Sequence, residues 1–243
     1  ASVYTPVAVA ADKAGRIYVV SSTTNYGVIS LNRDGSFNNF IGPQKVTFNA
    51  FDVLWRSFMS DEQKAKTAKL VPTEYNNLTI DSEGMIYVTT SSIDAGKQQS
   101  AITSRSKSAD YAPVKKLNPN GSDVMSRNGF YPPSGEVKIN DMLSSEMKIA
   151  GASTIVDVAL GPSGMWSIID QKRSRIFTYD NNGNLLFAFG DIGEQVGQVG
   201  EGSITAIDYQ GTNILVLDKA SDSITVYSRT EYGDLIAAAL QNT

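Results

Sequence analysis

The chain has 243 residues, 41% hydrophobic and 19% charged, with a net charge of −4, an ordinary globular composition able to bury a core as one domain. It contains neither His nor Cys, which excludes disulfides, thiolate chemistry, zinc–sulfur sites, Ser-His-Asp triads and histidine metal ligands. The acidic balance, with no basic cluster, speaks against a nucleic-acid groove, and no apolar run reaches the ~18 residues that a membrane-spanning helix needs.

Taken in chain order, the sequence is a two-part unit repeated four times. The first copy predicts strands over 7–10, 17–20 and 28–31 and a weaker one over 37–41, with turns at Asp12-Lys13-Ala14-Gly15 and Asn32-Arg33-Asp34-Gly35. Asx and Gly there supply side-chain-to-backbone hydrogen bonds and positive φ, which reverse the chain at little steric cost. The runs between the turns are short and β-branched, the mark of strands. Residues 47–70 then interrupt the repeat. Phe48, Phe51, Leu54, Trp55, Phe58 and Met59 recur at spacings of three and four and predict a helix with one wide apolar face. Ser60 and Gln63 form a capping-box signature for a second helix over 61–70. This helical insertion is expected to pack on the repeat, burying Trp55 and Phe58; a partner-docking helix or lid is the alternative.

The second copy carries Asp81-Ser82-Glu83-Gly84, a strand over 85–89, another over 114–117, and Asn118-Pro119-Asn120-Gly121. Within it, residues 91–112 are rich in Ser, Gln and Lys without an apolar period and predict a mobile loop. Residues 123–154, with Phe130-Tyr131-Pro132-Pro133 and a helical scrap at Met142, Leu143 and Met147, predict a cover over a sheet edge. The third copy has Gly161-Pro162-Ser163-Gly164, strands over 165–169 and 175–179, and Asp180-Asn181-Asn182-Gly183. The Gly-rich stretch 190–200 lacks the Lys-Ser/Thr and following helix of a phosphate loop and reads as a flexible connection. A looser fourth copy has strands over 214–218 and 223–227, after which residues 232–240 switch to a short apolar helix pattern.

A four-stranded antiparallel sheet with one modest apolar face cannot bury that face alone. Radial stacking of copies buries it and leaves only short edges. The fold class is therefore all-β: a β-propeller of four-stranded antiparallel blades, one domain over 1–243 with a helical insertion at 47–70. A two-sheet sandwich is the alternative, although it does not require the same pair of turns in every copy.

The third copy, with Asp170, Arg175, Ile176, Tyr179, Asp180 and Gly183, resembles the NHL-type propeller repeat. The fourth keeps Asp218, Ile224 and Tyr227 but has Ser223 where Arg is expected, and the first two have Ser21 and Thr90 in place of the strand-end Asp. The stretch 51–81, with Trp55, Arg56, Phe58, Pro72, Thr73, Glu74, Asn76 and Asn77, is similar to a segment of bacterial cell-surface NHL proteins. The resemblance implies about six blades, so further blades and flanking sequence are expected beyond this chain; a complete propeller of four or five blades is the alternative. It also implies an extracellular or cell-surface location, with the C-terminal segment leading out of the propeller toward helical repeats and an anchor.

Of the chemistry-bearing side chains, carboxylates remain: Glu74, Asp81, Asp157, Asp170, Asp208 and Asp218 lie near strand ends. Oxygen-only ligands of this kind suit Ca²⁺. Aligning the copies on their turns places Ala8, Asn77 and Asp157 at one point of the innermost strand, with Thr205 nearby. A polar side chain there is expected to face a water-filled channel. Asn77, Asp157, Thr205, Asp170 and Asp218 are thus the candidate axial or ligand-binding residues, although Asp170 and Asp218 also suit bonds to backbone amides at strand ends. Ca²⁺-dependent lactonases on six-bladed propellers use Glu, Asn and Asp in such places, but the first copy offers Ala8. The favoured reading is a non-enzymatic extracellular propeller binding a protein or glycan partner through its loop-bearing face, with no catalytic, cofactor or metal residue. The alternatives are a Ca²⁺-dependent lactonase-type hydrolase and a structural module of a larger surface assembly.

Overall fold

The computed structural model describes residues 5–22, 27–42, 75–91, 112–126, 137–138 and 151–241, with positions 93, 96, 98, 100, 101 and 104. Blade one is the antiparallel series β1 (Pro6–Ala11), β2 (Ile17–Ser21), β3 (Val28–Leu31) and β4 (Phe37–Ile41). Blade two is β5 (Asn77–Ile80), β6 (Ile86–Thr89) and β7 (Val114–Leu117). A two-stranded piece, β8 (Val137–Lys138) with β9 (Gly151–Ala152), precedes blade three. Blade three is β10 (Ile155–Leu160), β11 (Trp166–Asp170), β12 (Arg175–Tyr179) and β13 (Leu185–Phe189). Blade four is β14 (Ile204–Gln210), β15 (Asn213–Asp218) and β16 (Ser223–Tyr227), followed by helix α1 (Glu231–Gln241). The four repeated units are thus four consecutive antiparallel sheets. Two have four strands and two have three, and in blade two an isolated Leu117–Asp123 bridge stands where a fourth strand would run.

The turns form as local chemistry dictates. Asp12, Asp81, Asn118 and Asp180 each use Oδ1 to accept the N–H groups two and four residues ahead, at 2.8–3.0 Å. The glycine that follows three places on donates its N–H back to the same residue's carbonyl. Gly84 illustrates the requirement: its φ of +84° is a left-handed conformation that a side chain would strain. The corresponding turn of the third copy starts at Gly161 and closes as a 3₁₀ turn, Pro162–Gly164, with no side-chain cap.

The inner strands stand side by side: β1 abuts β5, β5 abuts β10, and β10 abuts β14. Among the described residues no comparable contact joins β14 back to β1, so the described blades form an open arc. Each seam is an apolar core. Tyr18, Val20 and Val28 meet Leu78, Ile86 and Leu117; Tyr87 and Val114 meet Trp166, Ile168 and Tyr179; Ile169 and Ile176 meet Ile204, Ile207 and Val216. Trp166 stacks on Tyr179 with centroids 4.7 Å apart and donates its indole N–H to the Asp180 carbonyl. Successive strand residues point to opposite seams, so Ile168 packs toward blade two and Ile169 toward blade four. The expectation of one apolar face per blade is corrected here: β11 is buried along its whole length because it has a neighbour on both sides. Among the described strand residues, the large apolar side chains that are exposed gather mostly at the two ends of the arc, Val7, Val9, Phe37 and Phe40 in blade one and Leu217, Ile224 and Val226 in blade four, with Leu185 in blade three.

Two further expectations change. Positions 96, 98, 100 and 101 are helical, with Gln98 and Ala101 buried, where a mobile loop was expected. Amide and methyl side chains pack there without producing the large-residue period that marks a helix in sequence. Helix α1 lies back against the Pro162–Gly164 turn, burying Ala237 and reaching Ser163 through Gln241, rather than leading away from the blades. No helix among the described residues is long and apolar enough to cross a membrane. The insertion at 47–70, with Trp55 and Phe58, and the residues Phe130–Pro133 and Met142–Met147 lie outside the described residues.

Candidate functional site

Antiparallel alternation sorts the connections by end. The short turns after β1, β3, β5, β7, β10, β12 and β14 all lie at one end of the blades. The connections that bear residues 43–74 and 92–111 leave β4 and β6 at the opposite end. Asn77 and Thr205 lie at or near the starts of inner strands, and Asp170 and Asp218 at the ends of second strands, which is the same, loop-bearing end.

Two of the candidate residues meet. Asn77 Nδ2 donates to Asp157 Oδ1 at 2.7 Å and to the Val156 carbonyl at 3.3 Å. Asp157 Oδ2 accepts the Ile207 N–H at 2.8 Å, and its Oδ1 also accepts the Val158 N–H. One carboxylate therefore ties β5, β10 and β14 together across two seams. The pair spans the joints between inner strands instead of standing free in a channel, because each side chain finds its partner on the next blade. Burial pushes the Asp157 carboxyl up to about 6; the hydrogen bonds from the Ile207 and Val158 amides act the other way, and Asp208 adds to the rise.

Thr205 does not share this position. β1, β10 and β14 each carry a register irregularity, at Val7, Val156 and Thr205, and the residues that follow are Ala8, Asp157 and Ala206. The extra residue displaces the alignment by one, so Ala206 is the counterpart of Asp157.

Asp170 and Asp218 serve strand ends. Asp170 Oδ1 accepts the Thr154 and Arg173 N–H groups, and Asp218 accepts the Gly200 and Ala220 N–H groups at 2.8 Å. The Asp218 carboxyl feels burial as an upward pull, but the amides of Gly200, Ala220 and Ser221 and the Ser203 hydroxyl outweigh it and hold the group low. Sequence reasoning missed Arg173, which is 4% exposed and pairs with Asp170 Oδ2 at 3.0 Å while also donating to Ser153. It also missed Asn76, whose amide donates to the Ile155 carbonyl of the next blade at 2.8 Å. The spacing of three between Asp170 and Arg173 was the available signal for the first; nothing local marks the second.

Chemically, the Asn77–Asp157 pair is a strand-joining arrangement in which the carboxylate accepts every bond. A metal ion at Asp157 would have to displace Asn77 or the Ile207 amide. Among the described residues no group of three or more Asp or Glu stands close enough together to hold a metal ion.

No family model matches the chain, and no curated protein matches it in sequence. Solved structures do resemble it. A protein of unknown function from Bacteroides thetaiotaomicron is similar over 92% of this chain and 47% of its own, with 13% identity and a TM-score of 0.51. Raptor from Chaetomium thermophilum is similar over 93% of this chain and 16% of its own, with 6% identity and a TM-score of 0.50. Virginiamycin B lyase from Staphylococcus aureus aligns over 93% of this chain and 56% of its own, with 12% identity and a TM-score of 0.46. The chain thus spans about half the length of the two bacterial structures, and the likeness is one of fold: antiparallel blades of the β-propeller type.

Proposed function

We propose that this chain belongs to a non-enzymatic NHL-type propeller, working outside the cell or at its surface, that binds a protein or glycan partner through its loop-bearing end. The observation that carries this reading is the placement of two long connections: residues 43–74 and 92–111 depart from one end, and tight Asx–Gly turns close the other. Long connections on a rigid scaffold are where binding surfaces are commonly built. The strand-end acids that a hydrolase would recruit are engaged in backbone bonds. The test is binding to a glycan array and to a panel of purified surface proteins, before and after residues 92–111 are replaced by a short Gly-Ser linker. Binding should disappear with the replacement and survive Lys13→Glu at the opposite end. Binding that survives the replacement, or is lost through Lys13→Glu, overturns the reading.

A second reading, the Ca²⁺-dependent lactonase-type hydrolase, draws on the contact between Asn77 and Asp157. Calorimetric titration separates the two. No Ca²⁺ binding tighter than millimolar is expected, and EDTA should leave the melting temperature unchanged. A micromolar affinity abolished by Asp157→Ala, together with lactone turnover, would put the hydrolase first.

A further inference from the structure

At the end that carries the Asx–Gly turns, blades three and four border an open cavity of about 300 Å³. Phe187 and Phe189 of β13, Tyr209 of β14, Ile214 of β15 and Tyr227 of β16 form its walls, and residues 228–230 with the first turn of α1 close one side. The aromatic lining is braced from behind. Phe189 meets Tyr227 edge-on with centroids 4.8 Å apart, the Tyr227 hydroxyl donates to the Gly197 carbonyl at 2.9 Å, and the Tyr209 hydroxyl bonds Ser167. The Tyr209 and Tyr227 phenol groups are committed to protein partners, so their rings are what they offer the cavity.

Arg229 is the one charged residue of the lining, and its buried Nη2 has no hydrogen-bond partner among the described residues. Glu231 and Asp234, the acids of the first turn of α1, are exposed and do not line the cavity. A buried guanidinium nitrogen left without an acceptor is costly, and its planar fork matches a carboxylate in two-point geometry. The start of an eleven-residue helix, at Thr230 and Gly233, adds the positive end of a backbone dipole beside it. Among ligand pockets the volume is at the small end, room for one ring and a short acid arm.

We propose that this cavity binds a small aromatic carboxylate, its ring among Phe187, Phe189 and Tyr227 and its carboxylate on Arg229. The site stands at the other end of the blades from the partner-binding end, so either reading can fail alone. Calorimetric titration of the whole chain would use three probes: 3-phenylpropionate, its uncharged amide, and N-acetylphenylalanine as a mimic of a peptide terminus. The acid should bind at least tenfold more tightly than the amide. Arg229→Gln should remove that difference, and Arg229→Lys should retain part of it. Tighter binding of N-acetylphenylalanine would assign the carboxylate to a chain end rather than a free metabolite. Chemical-shift changes in the unmutated protein, centred on Phe187, Phe189, Tyr227 and Arg229, keep the test valid if a variant fails to fold. Equal binding of acid and amide, full affinity in Arg229→Gln, or shifts located elsewhere would overturn the proposal.

Discussion

At Asp157, burial and hydrogen bonding pull the ionisation in opposite directions, and burial wins, raising the carboxyl to about 6 from an ordinary 3.8. The folded chain therefore binds this proton more tightly than the unfolded chain between those two values. Stability from this group is greatest below about pH 4, falls as pH rises toward 6, and is level above that. At 1.36 kcal/mol per unit of pKa the whole change is about 3 kcal/mol. Asp157→Asn should flatten the slope, so the difference in unfolding free energy between variant and parent should change by about 2 kcal/mol from pH 4 to pH 7. Denaturant titrations across that range measure it, and parallel curves would contradict it. The polar identity of positions 77 and 157 was readable in the sequence. Their contact was not, because it joins residues 80 apart in the chain and depends on two blades standing side by side.

The turn is the most self-contained element. Asp81 Oδ1 holds the Glu83 and Met85 amides at 2.9 Å, and Asn118 makes the same pair of bonds with an amide oxygen. Asp81→Ala should consequently cost about 1–2 kcal/mol, whereas Asp81→Asn, which keeps the acceptor, should cost less than about 0.5 kcal/mol. Gly84→Ala, at a φ of +84°, should cost about 1 kcal/mol or more through backbone strain. Equilibrium denaturation of the three variants checks the order. These turns were legible because donor, acceptor and glycine lie within five consecutive residues. The helical positions 96–101 were not, since packing rather than a local period stabilises them.

The described blades form an arc whose three seams are apolar and whose two terminal faces are not covered by a described blade. Val9 is 68% exposed on the first blade and Ile224 60% exposed on the last. Apolar strand faces of this kind favour self-association. Val9→Lys and Ile224→Lys should each change unfolding free energy by less than about 1 kcal/mol, while light scattering at high protein concentration should fall. A loss of more than about 2 kcal/mol would show that these faces are packed in solution.

The sequence by itself determined the turns, the strand runs between them and their fourfold repetition, hence the antiparallel blades, because each rests on bonds and steric preferences within a few residues. It also determined what chemistry is absent, since His and Cys do not occur. Tertiary structure decided the rest. Which acid has its ionisation pushed upward, as Asp157 has, follows from the neighbouring blade. Asp170 holds backbone amides and Arg173 because its strand end is closed over by them. Arg229 stands beside an aromatic cavity because β13, β16 and α1 converge there, and no periodicity or motif records a convergence of segments drawn from separate blades.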